Sequence, residues 1–96
     1  MVVRSDLPPG LQAAQAVHAA IGFAQKHPAL IPETVILVGV PDELGLAWLL
    51  AEAHTFAHFA VREPDLENSL TALALEPAAG RFCKHLPLLL KEAAAV

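Results

Sequence analysis

The chain has 96 residues, 55% hydrophobic and 17% charged, with six Lys and Arg against ten Asp and Glu for a net charge of -4. That length suits one domain with a single core, and the apolar content offsets the entropy of folding, which excludes a disordered chain. The negative balance also lacks the field of a general nucleic-acid binder, although Arg4, Lys26 and Arg62 form a candidate basic patch if Glu33, Asp42 and Glu43 lie elsewhere.

In chain order, "MVVRS" reads as a first strand, and "DLPPG" as a turn, because consecutive prolines bar regular pairing. Over residues 11 to about 26, steps of 100° gather Ala13, Ala16, Val17, Ala20, Ile21, Phe23 and Ala24 on one side. Gln12, Gln15, His18, Gln25 and Lys26 fall on the other. The pattern predicts an amphipathic helix with its glutamines toward water, ended by His27 and Pro28. "ETVILVGV", from Glu33 to Val40, has the β-branched, nearly continuous apolar character of a strand buried on both faces.

Pro41, Asp42 and Glu43 then start a second helix to about Ala53, with carboxylates at the positive end of its dipole. Within it Trp48, among Leu46, Leu49 and Leu50, reads as core packing, the alternative being an anchor for a partner. "TFAHFAVRE" alternates as a strand does, residues 64–69 form a loop, and "LTALALEP" is a last strand stopped by Pro77. A short helix from about Ala78 to His85 follows. The apolar "LPLLLKEAAAV" either packs on the sheet or seals a homodimer contact.

The order β-α-β-α-β-β-α, with two helical crossovers, implies a three-layer α/β/α sandwich around a mixed four-stranded sheet. The link between the third and fourth strands is too short for a crossover helix, so that pair is antiparallel or joined through a long loop. No apolar segment approaches the roughly 20 residues that cross a bilayer, and Arg4 and Asp6 precede any signal-like run. No membrane partner is therefore expected, and the expected location is cytoplasmic. The single cysteine, Cys83, excludes an internal disulfide and any multi-cysteine metal site, and reads as a buried, inert thiol. His54 and His58 have a ligand-like spacing, but the second helix ends between them, so no metal is expected.

Ligands of open α/β sheets gather beyond the carboxyl ends of parallel strands. That rule nominates Asp6 at the exit of the first strand, Gln15 and His18 on the helix that follows, and Asp65 in the loop after the third strand. "VVRSDL", then "GLQAAQAVHAA", then "VREPDLENSLTALALEP" resemble the archaeal and eukaryotic type of peptidyl-tRNA hydrolase. Members of that family carry an R-[ST]-D-L turn, A-A-Q-x-x-H-A in the first helix, and an acid after the third strand ahead of T-x-L-A-[IL].

The resemblance covers most of the chain in the right order. It implies one such domain over residues 1–96, cleaving the ester between a peptide and the 3′ end of tRNA without metal or organic cofactor. Carried over by motif, it implies catalytic roles for His18, Asp65 and Thr71, with Gln15, Asp6 and Ser69 meeting the substrate. His18 would assist a water, Asp65 would orient that water or a positive partner, and Thr71 would donate a hydrogen bond at the base of the cleft.

Two departures stand out: Leu11 occupies the position where members carry a lysine, and only "LENSL" separates Asp65 from Thr71, with Ser69 in place of a further threonine. Weakened tRNA binding follows. The alternative reading is an inactive relative serving as a binding or homodimeric module, and a third is hydrolysis of another small acyl ester or amide. Each residue also has a purely structural reading: His18 and Gln15 as ordinary polar-face residues, Asp65 as a turn former, Thr71 as a strand former, and Asp6 as a local partner of the Pro-Pro turn.

Overall fold

Two local devices set the helices. α1 (Pro9–Lys26) begins with proline in its first turn, where a missing N–H costs no intrahelical bond, and ends as the His27 N–H donates to the Phe23 carbonyl ahead of Pro28. α2 (Glu43–Ala53) is capped by Asp42, whose Oδ1 accepts from the Gly45 N–H at 3.0 Å, with Glu43 in the first turn. Both belong to a computed structural model that describes residues 1–30 and 35–90.

The strands are β1 (Val2–Arg4), β2 (Val38–Val40), β3 (His58–Glu63) and β4 (Ser69–Leu75), in the order β2-β1-β4-β3. β1 and β2 are parallel, while β4 runs antiparallel to both β1 and β3. The β3–β4 hairpin turns through a short 3-10 helix, Pro64–Leu66, followed by Glu67 and Asn68 at φ 58° and 59°. Asparagine accepts that left-handed region readily and glutamate less so.

Alternation along β1 divides the core. Val2 faces Leu46 and Leu49 of α2 together with Val38, Val40, Leu70 and Leu73, whereas Val3 faces Ala16, Ala19 and Phe23 of α1 together with Val61, Ala72 and Ala74. The helices thus cover opposite faces, which is the expected α/β architecture on a mixed four-stranded sheet. Among the described residues no helix is long and apolar enough to cross a membrane. α1 lies so close to β3 that a Cβ at Gly22 would overlap the Phe59 ring.

Several expectations are corrected. The buried face of α1 is Gln12, Gln15, Ala16, Ala19, Gly22 and Phe23, while Val17 and Ile21 are 56% and 52% exposed. Small residues on both sides of α1 leave hydropathy a weak guide to its facing, and hydrogen bonds satisfy most of the buried glutamine amide groups. Trp48 points outward because the buried turns of α2 are taken by Leu46, Leu49 and Ala53. β2 starts at Val38, later than the expected strand; the part at Glu33 lies outside the described residues.

The last helix is a 3-10 helix, Pro77–Cys83, and Cys83 is half-buried. Leu88 meets Val38 in an isolated bridge, so the apolar stretch before residue 91 does pack beside β2; the rest of that stretch lies outside the described residues.

Candidate functional site

The exits of β1, β2 and β3 and the entry of β4 meet at one end of the sheet, and polar side chains gather there. Arg4, the last residue of β1, donates from Nε and Nη2 to the two carboxylate oxygens of Asp6 at 3.0 and 2.9 Å. Its Nη1 donates to Ser69 Oγ at 3.3 Å and to the Leu70 carbonyl at 3.1 Å, while Glu43 Oε2 accepts the Leu70 N–H at 2.8 Å. The paired hydrogen bonds hold the Asp6 carboxyl below its ordinary value and raise the Arg4 guanidinium.

This settles the basic patch differently from expectation. The acids Asp42 and Glu43 lie close enough to Arg4 to raise it further, and Lys26 ends α1 about 16 Å along the axis from Gln15. Arg62, on β3, is tied by Nη1 to the Asn68 carbonyl at 3.1 Å.

Beside Arg4, α1 sends two amides inward. Gln12 Nε2 donates to the Leu7 carbonyl at 2.6 Å and to the Ser5 carbonyl at 3.2 Å, fixing the turn that leaves β1; its Oε1 is buried with no hydrogen-bond partner among the described residues. One turn on, Gln15 is 1% exposed and Thr71, at 0%, lies opposite it on β4. Thr71 Oγ1 donates to Gln15 Oε1 at 2.7 Å, with the Val61 carbonyl a longer acceptor at 3.4 Å. Because Oε1 is engaged, the Gln15 Nε2 is aimed outward, and it donates to Glu63 Oε2 at 3.1 Å. The other oxygen of Glu63 accepts the Asp65 N–H at 3.2 Å. A relay therefore runs from a buried hydroxyl, through a buried amide, to a half-buried carboxylate, using β4, α1 and β3 in turn.

Of the residues named from sequence, Gln15 and Thr71 come together directly, across 56 positions of chain. Asp6 and Ser69 come together through Arg4. His18 and Asp65 join neither group: both are exposed, and among the described residues neither side chain makes a hydrogen bond. His18 instead lines a shallow groove of about 450 Å³ between α1 and the edge strand β3, with Ile21, Gln25, Phe59 and Arg62. Asp65 enters the relay only through its backbone.

The residues missed from sequence are Glu63, Gln12 and Arg4 as an anchor. For Glu63 the signal was present: two-residue alternation places it on the α1 side with Phe59 and Val61, and Pro64 stops the strand there.

A larger cavity, about 690 Å³, lies around the amino end of β1, with Met1, Phe23, Val38, Leu75 and Leu88 in its wall. Its one thiol, Cys83, is pushed up by burial, which lowers its thiolate fraction at neutral pH. Among the described residues no three His, Cys, Asp and Glu side chains converge as a metal site. His54 Nδ1 donates to the Ala51 carbonyl at 2.8 Å and His58 Nδ1 to that of Phe56 at 2.9 Å. No known family model matches the chain, and no curated protein matches it.

Proposed function

We propose that this chain is a domain of the peptidyl-tRNA hydrolase type, acting in the cytoplasm on the ester that joins a peptide to the 3′ end of tRNA. The observation that carries the reading is the Thr71–Gln15–Glu63 relay, which presents a carboxylate at the sheet end where an α/β fold receives ligands. Ester hydrolysis needs a group that aligns and deprotonates water. Glu63 fills that role in place of Asp65, because two donors fix its carboxylate while each oxygen keeps a lone pair for water.

Gln15 and Thr71 are positioning residues, since both are too buried to touch a substrate. His18 and Arg62, in the adjoining groove, are the groups that meet the nucleotide end. The test is single-turnover release of peptide from a peptidyl-tRNA analogue. Glu63→Gln should slow it by roughly 10²- to 10³-fold and Asp65→Ala by less than about threefold. A folded preparation that releases nothing above buffer removes the reading.

A second reading is a binding module without turnover. It is favoured by the net charge of -4 and by Arg4, whose guanidinium is already spent on Asp6, Ser69 and Leu70 instead of being offered to phosphate. It predicts no turnover of the tRNA analogue by a folded chain, together with a measurable partner or a stable homodimer.

A further inference from the structure

Strict alternation along β4, counted back from Ala74, would point Ala72 and Leu70 to the α1 side and Leu73 and Thr71 to the α2 side. Ala72 and Ala74 do pack with α1, and Leu73 packs with Leu46 and Leu49 of α2. Leu70, however, packs with α2 as well, and Thr71 meets Gln15 of α1. The reversal comes from the pairing with β3. Val61 stands opposite Ala72 and Arg62 opposite Leu70, so Thr71 is an extra residue in β4, a β-bulge. Without that bulge the Thr71 hydroxyl would face α2, on the wrong side of the sheet for the relay.

A bulge interrupts the ladder, and the peptide groups beside it need other partners. The β1–β4 pairing covers Val2–Leu73 and Val3–Ala72 and stops there. At Leu70 two side chains take the place of a strand: Glu43 Oε2 accepts its N–H at 2.8 Å, and Arg4 Nη1 donates to its carbonyl at 3.1 Å. A carboxylate on the N–H and a guanidinium on the carbonyl make both bonds charge-assisted. Each side chain is itself anchored. Both oxygens of Asp6 hold Arg4, and Glu43 belongs to the first turn of α2, next to the Asp42 cap. Residues from β1 and α2 therefore grip the position immediately before Thr71.

We propose that Arg4 and Glu43 are positioning residues for the relay: by clamping the two peptide groups of Leu70 they hold the bulge that turns Thr71 toward Gln15. They act on Glu63 only through Thr71 and Gln15. The effect on turnover rests on the hydrolase reading, whereas the aim of Thr71 does not.

The test pairs NMR with single-turnover release of peptide from a peptidyl-tRNA analogue. In the unaltered chain the Thr71 methyl and the Gln15 side chain should give a nuclear Overhauser contact. Glu43→Ala should lose that contact and slow release by roughly 10- to 100-fold, with binding of the analogue changed by less than about threefold. Glu43→Gln, whose amide oxygen still accepts the Leu70 N–H, should restore the contact and return release to within about threefold of the unaltered chain. That rescue separates the clamp from the charge at the start of α2, which glutamine does not replace. Arg4→Ala removes the donor on the other side of the same peptide and should also lose the contact, which keeps the proposal testable if Glu43→Ala does not fold. A Thr71–Gln15 contact that persists in folded Glu43→Ala or Arg4→Ala overturns the proposal. So does a Glu43→Gln chain that behaves as Glu43→Ala does. If the unaltered chain releases no peptide, the hydrolase reading falls, and the NMR contact alone decides the positioning role.

Discussion

Thr71→Val is the sharpest probe of the relay. Valine nearly matches threonine in volume, so the change opens no cavity and deletes one donor. The deleted bond is 2.7 Å long between two side chains that are 0% and 1% exposed, leaving Gln15 Oε1 with no water to replace the hydroxyl. An unsatisfied buried acceptor costs about 1–3 kcal/mol, and about 2 kcal/mol is the expected loss. For a domain of this size that lowers the melting temperature by roughly 8–16 °C.

Gln15→Leu alone should cost a similar amount, since Thr71 keeps only its longer contact to Val61. Glu63, being half-buried, recovers a partner from solvent. The double variant removes donor and acceptor together, so its cost should fall at least about 1 kcal/mol short of the sum of the two singles. Urea titration of all four proteins measures this cycle. A Thr71→Val cost below about 0.5 kcal/mol, or additive singles, would refute a buried hydroxyl-amide bond as the element that aims Gln15.

Other outcomes follow from single contacts. Gly22→Ala should destabilise by about 1–2 kcal/mol in urea, because the methyl displaces the Phe59 ring by more than alanine's helix preference returns; a stabilised variant would show that α1 sits further from β3. Asp42→Ala should cost about 1 kcal/mol through loss of the cap on Gly45, read by the same titration. Asp6 ionises below the ordinary 3.8 in the fold, so its contribution is present above that pH and is lost as pH falls through the lowered value. In Arg4→Ala an NMR titration should return Asp6 upward toward 3.8. The Cys83 thiol, raised by burial, should react with a disulfide reagent at pH 8 more slowly than free cysteine does and should speed up on unfolding in urea.

The sheet was legible because its strands carry strong local signals. "VVR", "VGV" and "SLTALAL" are flanked by proline or turn residues, and the short β3–β4 link excludes a crossover helix; of the two connections it allows, the structure has the antiparallel one. The facing of α1 was not legible. α1 carries small residues on both sides, so hydropathy is a weak guide to its facing, and the buried side is marked by Gln12 and Gln15, whose partners are up to 56 residues distant. Trp48 was misplaced for a related reason: α2 is apolar on both sides, and composition cannot say which side meets the sheet. Gln15 was expected toward water and is buried against Thr71 and Glu63, while Asp65, the acid singled out from the loop, joins that chain of hydrogen bonds only through its backbone N–H.

The neighbour relation of β1 and β4 joins the second residue of the chain to residue 73. During synthesis, Arg4 emerges before Ser69 and cannot meet it until the β3–β4 hairpin has left the ribosome. Until then the relay lacks the Thr71 hydroxyl, and Arg4 lacks the Leu70 carbonyl that holds it. A nascent chain halted at residue 60 therefore carries both helices and half the sheet but no assembled site.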